Sequence, residues 1–189
     1  MNFKNKSKVI YNETLKTYTK YFYPNFKKKM KYIFRFRKYP GYNFKYIANV
    51  LQKLNLNVPK ILKYDKYMVV TKQIEGIDLY EKLLISNKTD SKILLDEYIN
   101  IVSTIINNDI YFGDFSFDNF IYCSKNSKIY VIDLEDYRKN FLSQFRKKET
   151  IKRIGKKLHH LELLKEHKHC YTSTEIIEKI INKTKDTNK

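Results

Sequence analysis

Two short acidic words end the most hydrophobic strands this chain can form: "GDFSFDN" at 113–119 and "VIDLED" at 131–136. A carboxylate beside a buried run is costly unless it is paired or binds something. Asp114 and Asn119 keep the spacing D-x-x-x-x-N, and Asp133 follows fourteen residues after Asn119. Phosphoryl transfer asks little covalent chemistry of a protein. It needs a carboxylate near the attacking hydroxyl, ligands for Mg²⁺ and cations on the phosphates. Asp114 suits the first need. Asn119 and Asp133 suit the second, because Mg²⁺ takes hard oxygen ligands from one or two protein groups and the rest from phosphates. The bland alternative is that Asp114 and Asp133 only cap turns at strand ends.

Such a site needs a loop, then a hairpin. "NFIYC" (119–123) and "KIYVI" (128–132) around "SKNS" predict that hairpin after a loop at 111–118. Upstream, "KVIY" and "LKTYTKYF" read as strands around "NET", with Lys16, Tyr18 and Lys20 on one face. "PNFKKKMKYIFRFRK" reads as a basic, partly helical segment that "YPG" breaks. Phe44, Ile47, Val50, Leu51 and Leu54 recur at helical spacing over 43–55, and Pro59 stops that helix. "KILKY" and "YMVVTKQI" predict a second hairpin, followed by a boundary at "EGID" and a short helix, "LYEKLL".

The clearest helix spans 91–107, with Ile93, Leu94, Tyr98, Ile101, Val102, Ile105 and Ile106 on one face and Asp90 or Thr89 as its cap. A basic helix is predicted over 143–167, and "TSTE" at 172–175 is a capping box for a last helix. The order is that of an α+β fold, sheet first and helices later.

The chain has 189 residues, 42% hydrophobic and 15% aromatic, which excludes a disordered chain. No apolar run reaches the length of a membrane span, and the basic N-terminus has no apolar secretory core. Cys123 and Cys170 give no disulfide framework, so a reducing, cytoplasmic setting is expected. The net charge of +18 points to an anionic partner, although codon bias in a chain crowded with Asn, Ile and Tyr would also supply lysine. His159 and His160, with His167 and His169, lack the companions a metal site needs.

In order along the chain, "YTKYFYP", "LNLNVPKIL", "IEGIDL", "GDFSFDNFI" and "VIDL" resemble the lipopolysaccharide core heptose kinases, the heptose(II) branch above all, within the protein-kinase-like superfamily. The resemblance implies a small two-lobed fold: a reduced N-lobe at 1–75 and a helical C-lobe at 76–189 carrying the catalytic loop and metal-binding hairpin. It implies ATP and Mg²⁺, with Asp114 as the base, Asn119 and Asp133 on the metal, and Lys20 on the nucleotide phosphates. Thr71, Lys72 and Gln73 fall where the hinge backbone meets adenine. The implied acceptor is a heptose hydroxyl of the lipopolysaccharide core. A basic chain would meet such an acceptor peripherally on the cytoplasmic face of the inner membrane, through 27–38 and 146–157.

The chain departs from the family's pattern in four places. The helix glutamate that orients the nucleotide lysine is missing, its place falling near Ile47, which leaves Glu75 or another carboxylate to serve. No Gly-rich loop precedes Lys20, since the first glycine is Gly41. Phe112 stands before "GD", and no glycine follows Asp133 in "DLED". These departures keep open a pseudokinase that binds nucleotide without transfer. Charge and aromatics alone keep open a basic nucleic-acid-binding module, although no nucleic acid is expected on the kinase reading.

Overall fold

The computed structural model describes residues 7–111, 114–139, 143–159 and 170–185. It opens on the expected hairpin, β1 (Ser7–Asn12) and β2 (Thr17–Phe22), closed where Asn12 Oδ1 accepts from the Leu15 amide at 2.9 Å. Then come α1 (Phe26–Ile33), α2 (Pro40–Lys53), β3 (Ile61–Asp65) and β4 (Met68–Lys72). The four strands form an antiparallel sheet in the order β1-β2-β4-β3.

"YPG" does not break a helix, as expected from the sequence; it starts one. Pro40 is the first residue of α2, where its fixed φ is favourable and its missing N–H costs nothing. Gly41 is required beside it. A Cβ there would lie 1.9 Å from the Asp65 carbonyl oxygen and 2.6 Å from that of Met68. The bare backbone lets α2 lie on the β3–β4 turn, where Gly41 N donates to Lys66 O at 3.1 Å. Phe44, Ile47, Ala48 and Leu51 then fill the core beneath.

Past "EGID" the chain runs β5 (Ile77–Asp78), α3 (Leu79–Ile85), α4 (Lys88–Asn107) and β6 (Ile110–Tyr111). The cap of α4 is Asn87, whose Oδ1 accepts from the Asp90 amide at 2.8 Å; Asp90 and Thr89 sit inside the first turn. Six of the seven apolar residues predicted for its face are buried, but Ile93 is 62% exposed. A 3-10 turn, Phe117–Asn119, leads into β7 (Phe120–Cys123) and β8 (Lys128–Val131), each slightly shorter than predicted. β9 (Arg138–Lys139) pairs with β6, and β5, β7 and β8 form a second sheet.

Two helices follow, α5 (Ser143–Leu158) and α6 (Ser173–Lys185). The Thr172 capping box is present: Thr172 N donates to Glu175 Oε2 at 2.7 Å, and Glu175 N donates to Thr172 Oγ1 at 3.3 Å. The part of the basic helix expected over 160–167 lies outside the described residues, as do Phe112, His160, His167 and His169. His159 is placed, with Nδ1 2.8 Å from Ser173 Oγ.

One stitch joins the two sheets. The "LNLNVPK" segment lies along β8, where Val131 N donates to Asn57 O at 2.9 Å and Asn57 Nδ2 donates to Ile129 O at 3.3 Å. Among the described residues, no helix is long and apolar enough to cross a membrane.

Candidate active site

The loop that carries Asp114 is nailed down by its own aromatic residues. In D-F-S-F-D-N-F, the side chains of Phe115, Phe117 and Phe120 are buried, while the polar residues between them face outward. Tyr98 of α4 receives them. Its ring packs edge-on to Phe117 and Phe120 at 4.9 and 5.0 Å, and its hydroxyl donates to Phe115 O at 2.6 Å. Asn119 Nδ2 then donates back to Asp114 O at 2.8 Å, which turns its Oδ1 the other way. Asn119 O accepts from Ile132 N at 3.0 Å, so the loop is bonded to the residue before Asp133.

Asp133 adopts a left-handed backbone, φ 57° and ψ 46°. Few residues other than glycine tolerate this, and such strain gathers at functional sites. Its Oδ1 accepts from Lys20 Nζ at 2.8 Å, although Lys20 lies on β2 in the other sheet. The same ammonium meets Glu135 Oε1 at 2.7 Å. Lys20 and Glu135 are nearly buried, with side chains 12% and 15% exposed, and Asp133 is 48% exposed. Burial pulls the Lys20 pKa down, but the charges of Glu135 and Asp133 outweigh it and hold it above its ordinary value. Burial pushes Glu135 up against the pull of Lys20, with the Asp133 charge adding to the rise.

Glu135 is the residue that sequence reasoning missed. The orienting carboxylate absent from α2 is supplied by the loop after Asp133, where "DLED" has no glycine. Glu75, the candidate named from the sequence, meets Lys125 on the surface at 3.7 Å instead. α2 still takes part, through Asn43. Its Nδ2 donates to Glu135 O at 3.0 Å and Tyr137 O at 2.9 Å, fixing the backbone that carries Glu135.

Lys20 and Asp133 line one end of a cavity of about 310 Å³, within the usual range for small-molecule sites. Val9, Tyr18 and Val69 wall it from one sheet, and Ile121 and Ile132 from the other side. Thr71, Lys72 and Gln73 line it too, and the lining continues to Ile74 and Gly76. The amides of Lys72 and Gln73 are already used, donating to Lys60 O and Lys16 O at 2.8 Å each. Gly76 is needed where it stands, since a Cβ would meet Tyr122 O at 2.2 Å. Asp114 and Asn119 are not among its lining residues; Asn119 is tied to this end through its backbone bond to Ile132. An apolar slot with a lysine and carboxylates at one end suits a flat base joined to phosphates.

A relative at sequence level decides the family. The chain is 33% identical over 151 residues to the EKC/KEOPS complex subunit BUD32 of Enterocytozoon bieneusi (strain H348), an alignment covering 72% of this chain and 70% of that protein. The chain belongs to the BUD32 family. No family model matches it. Among solved structures, the Rio2 kinase of Chaetomium thermophilum, in an ADP/Mg²⁺-phosphoaspartate complex, superposes at a TM-score of 0.54. It shares 11% sequence identity, and the match covers 96% of this chain and 66% of that one, so what is shared is the kinase-like fold. The Cydia pomonella granulovirus kinase PK-1 matches at 14% identity and a TM-score of 0.45 over 70% of this chain and 52% of its own. The α+β, kinase-like fold expected from the motifs is therefore present, in a BUD32-family chain.

The donors at this BUD32-family site suit Mg²⁺. The free faces of Asn119 and Asp133 offer hard oxygens, and among the described residues no cluster of three His, Cys, Asp or Glu could hold a metal alone. Two such oxygens suit a cation that takes its remaining ligands from phosphates. The tip of the β1–β2 hairpin does not reach the Lys20 end of the cavity. Thr17 pairs with Lys72, and Gln73 N donates to Lys16 O, so the tip sits at the hinge end, away from Lys20 and Asp133.

Proposed function

We propose that this BUD32-family chain is an ATP-dependent phosphotransferase. One observation carries this reading: Lys20, held between Asp133 and Glu135, stands at the polar end of an apolar slot that runs along Thr71–Gln73. On this reading Lys20 meets the nucleotide phosphates, and Asn119 and Asp133 hold Mg²⁺. When bound, Mg²⁺ neutralises charge across the phosphates. Asp114 orients the acceptor hydroxyl and takes its proton as the oxygen attacks the γ-phosphorus. The bond from that phosphorus to ADP breaks, and its electron pair stays on the β-phosphate oxygen.

Glu135 removes one ground for a pseudokinase, since Lys20 has its orienting carboxylate after all. The family likeness favours work within an assembly of the EKC/KEOPS type. The basic segments 27–38 and 146–157, expected to meet an anionic membrane surface, are equally suited to an anionic face of a partner. A lipopolysaccharide heptose remains the acceptor implied by the motif resemblance, and its support is that resemblance alone.

The test is incubation of the purified chain with γ-labelled ATP, with and without Mg²⁺, in parallel arms. One contains the chain alone, one the organism's complex partners and one a core oligosaccharide. Mg²⁺-dependent label on protein is the expected result. Label on the oligosaccharide would return the heptose reading. Mg²⁺-dependent ATP binding with no transfer in any arm would make the chain a pseudokinase.

A further inference from the structure

The acceptor side of the site needs a cation that the catalytic loop does not carry. Between Asp114 and Asn119 the sequence is F-S-F-D, with no basic residue. Lys20 is committed to two carboxylates at the far end. Mg²⁺ on Asn119 and Asp133 would cover one side of an arriving phosphoryl group, but its Asp114 and Asp118 side would face only carboxylates. Yet the transition state spreads charge over three phosphoryl oxygens and is stabilised by cations there.

The structure brings one in from α5. Lys157 of α5 places Nζ on Asp114 Oδ2, forming an ion pair across 43 residues of sequence. Asp114 Oδ1 accepts from the Ser116 amide at 3.2 Å, so the loop and the helix hold the carboxylate from two sides. Lys157 points this way because its neighbours are fixed. Ile154 and Leu158 are buried, and α5 is tied to α6 where the Lys147 ammonium donates to Thr184 O. The lysine itself is 52% exposed and its partner 42%, so the pair lies open at the mouth of the site.

We propose that Lys157 is the γ-phosphate cation of this site, a role that rests on the phosphotransferase reading above. Its flexible four-carbon stem lets the ammonium pass from Asp114 to an oxygen of the γ-phosphoryl group when ATP is bound. It then offsets charge as the acceptor oxygen bonds to phosphorus, the acceptor proton goes to Asp114 and ADP leaves with the electron pair of the broken bond. A cation arriving in cis from outside the loop fills the need that an arginine finger meets in other phosphoryl-transfer enzymes.

The test uses the full chain and its Lys157→Ala and Lys157→Arg variants. ATP and ADP affinities are measured with Mg²⁺ by displacement of a fluorescent ADP analogue, and turnover is read from γ-labelled ATP. In Lys157→Ala, ATP affinity should fall about tenfold, the usual worth of one charged hydrogen bond. ADP affinity should stay within about twofold, since ADP has no γ-phosphate. Turnover should fall on the order of 10²-fold, and Lys157→Arg should recover most of both losses. Equal loss of ATP and ADP affinity, or loss of neither, would overturn the proposal. A rise in turnover would overturn it too and make the pair a lock on Asp114. A wild type that binds no ATP would overturn the phosphotransferase reading and this role with it. If wild type binds ATP without turning it over, the ATP-to-ADP affinity ratio still decides on Lys157.

Discussion

The two ends of the site are built on opposite plans. At the Lys20 end, a nearly buried ammonium sits between two carboxylates, and the backbone that supplies Glu135 is bonded to α2 through Asn43. At the Asp114 end, a half-exposed carboxylate meets a single half-exposed lysine. Partners are hard to replace when charges are buried, because a stranded charge costs several kcal/mol. Open pairs contribute little to stability and are screened by salt. The first plan suits a fixed anchor for phosphates. The second suits groups that must let go of each other during a reaction.

That difference separates what each end controls, and the largest effect expected lies at the open end. Asp114→Asn should cut phosphoryl transfer on the order of 10²–10⁴-fold, the usual worth of a positioned base. ATP affinity should barely move and thermal stability should fall only slightly: burial pushes this carboxyl up, the Lys157 and Ser116 contacts outweigh that and hold it below its ordinary value, but the pair with Lys157 is half exposed. Labelled-ATP turnover beside nucleotide displacement checks this. Parallel loss of ATP affinity would place Asp114 at the metal instead.

Glu135→Ala probes the anchored end and should show the reverse pattern. Lys20 keeps Asp133, so the full cost of a stranded buried charge is not incurred. Part of the burial cost also disappears, since Glu135 Oε2 is buried without a hydrogen-bond partner. Stability should therefore drop by only about 1 kcal/mol, while the KM for ATP rises roughly tenfold. The two variants together form a double dissociation: Asp114→Asn moves turnover, and Glu135→Ala moves nucleotide affinity.

The sequence revealed the local parts of this design and hid the distant ones. Asp114, Asn119 and Asp133 stood out as candidates because a loop and a short hairpin connect them at a recognisable spacing. Tyr98 was visible as a face residue of α4, but its hydroxyl bond to Phe115 was not. Glu135 pairs with a lysine more than a hundred residues away, and only its nearness to Asp133 hinted at it. Lys157 was one lysine among many in a basic helix. "YPG" misled because Pro is a breaker inside a helix and a starter at its first turn, and only packing decides which. Gly41 itself held the clue, since a close approach of α2 to the β3–β4 turn needs a residue without a side chain.

A smaller effect tests how far α2 supports the anchored end. Asn43 is buried and donates to the carbonyls of Glu135 and Tyr137. Arg138 Nη1 donates to the same two oxygens at 2.7 and 2.6 Å. Asn43→Ala thus leaves neither carbonyl without a donor, and the loss should fall at the low end of the range, about 1 kcal/mol. Chemical denaturation measures it. A loss of 3 kcal/mol or more would mean that α2, rather than Arg138, holds the Glu135 loop.

The smallest effect separates acid sensitivity of the fold from that of the site. Asp96 on α4 lies away from the cleft. It accepts from Lys92 Nζ at 2.7 Å and from the Tyr171 hydroxyl at 2.9 Å, joining α4 to the start of α6. Burial pushes its pKa up, but the Lys92 and Tyr171 hydrogen bonds outweigh that and hold it below the ordinary value of 3.8. A carboxylate whose folded pKa is depressed adds stability above its unfolded pKa and loses it as pH falls through the folded one. Asp96→Ala should therefore destabilise the fold near neutrality, and the gap should shrink as pH falls through the depressed folded pKa of Asp96, once that carboxyl is protonated in both the folded and the unfolded chain. The Asp96–Lys92 pair is open to solvent, so the gap should be small. Denaturation midpoints across pH 2–7 check the convergence, and ATP affinity at neutral pH should match wild type. A fall in ATP affinity in this variant would mean that the α4–α6 contact reaches the cleft, and the division of labour between the two ends would fail.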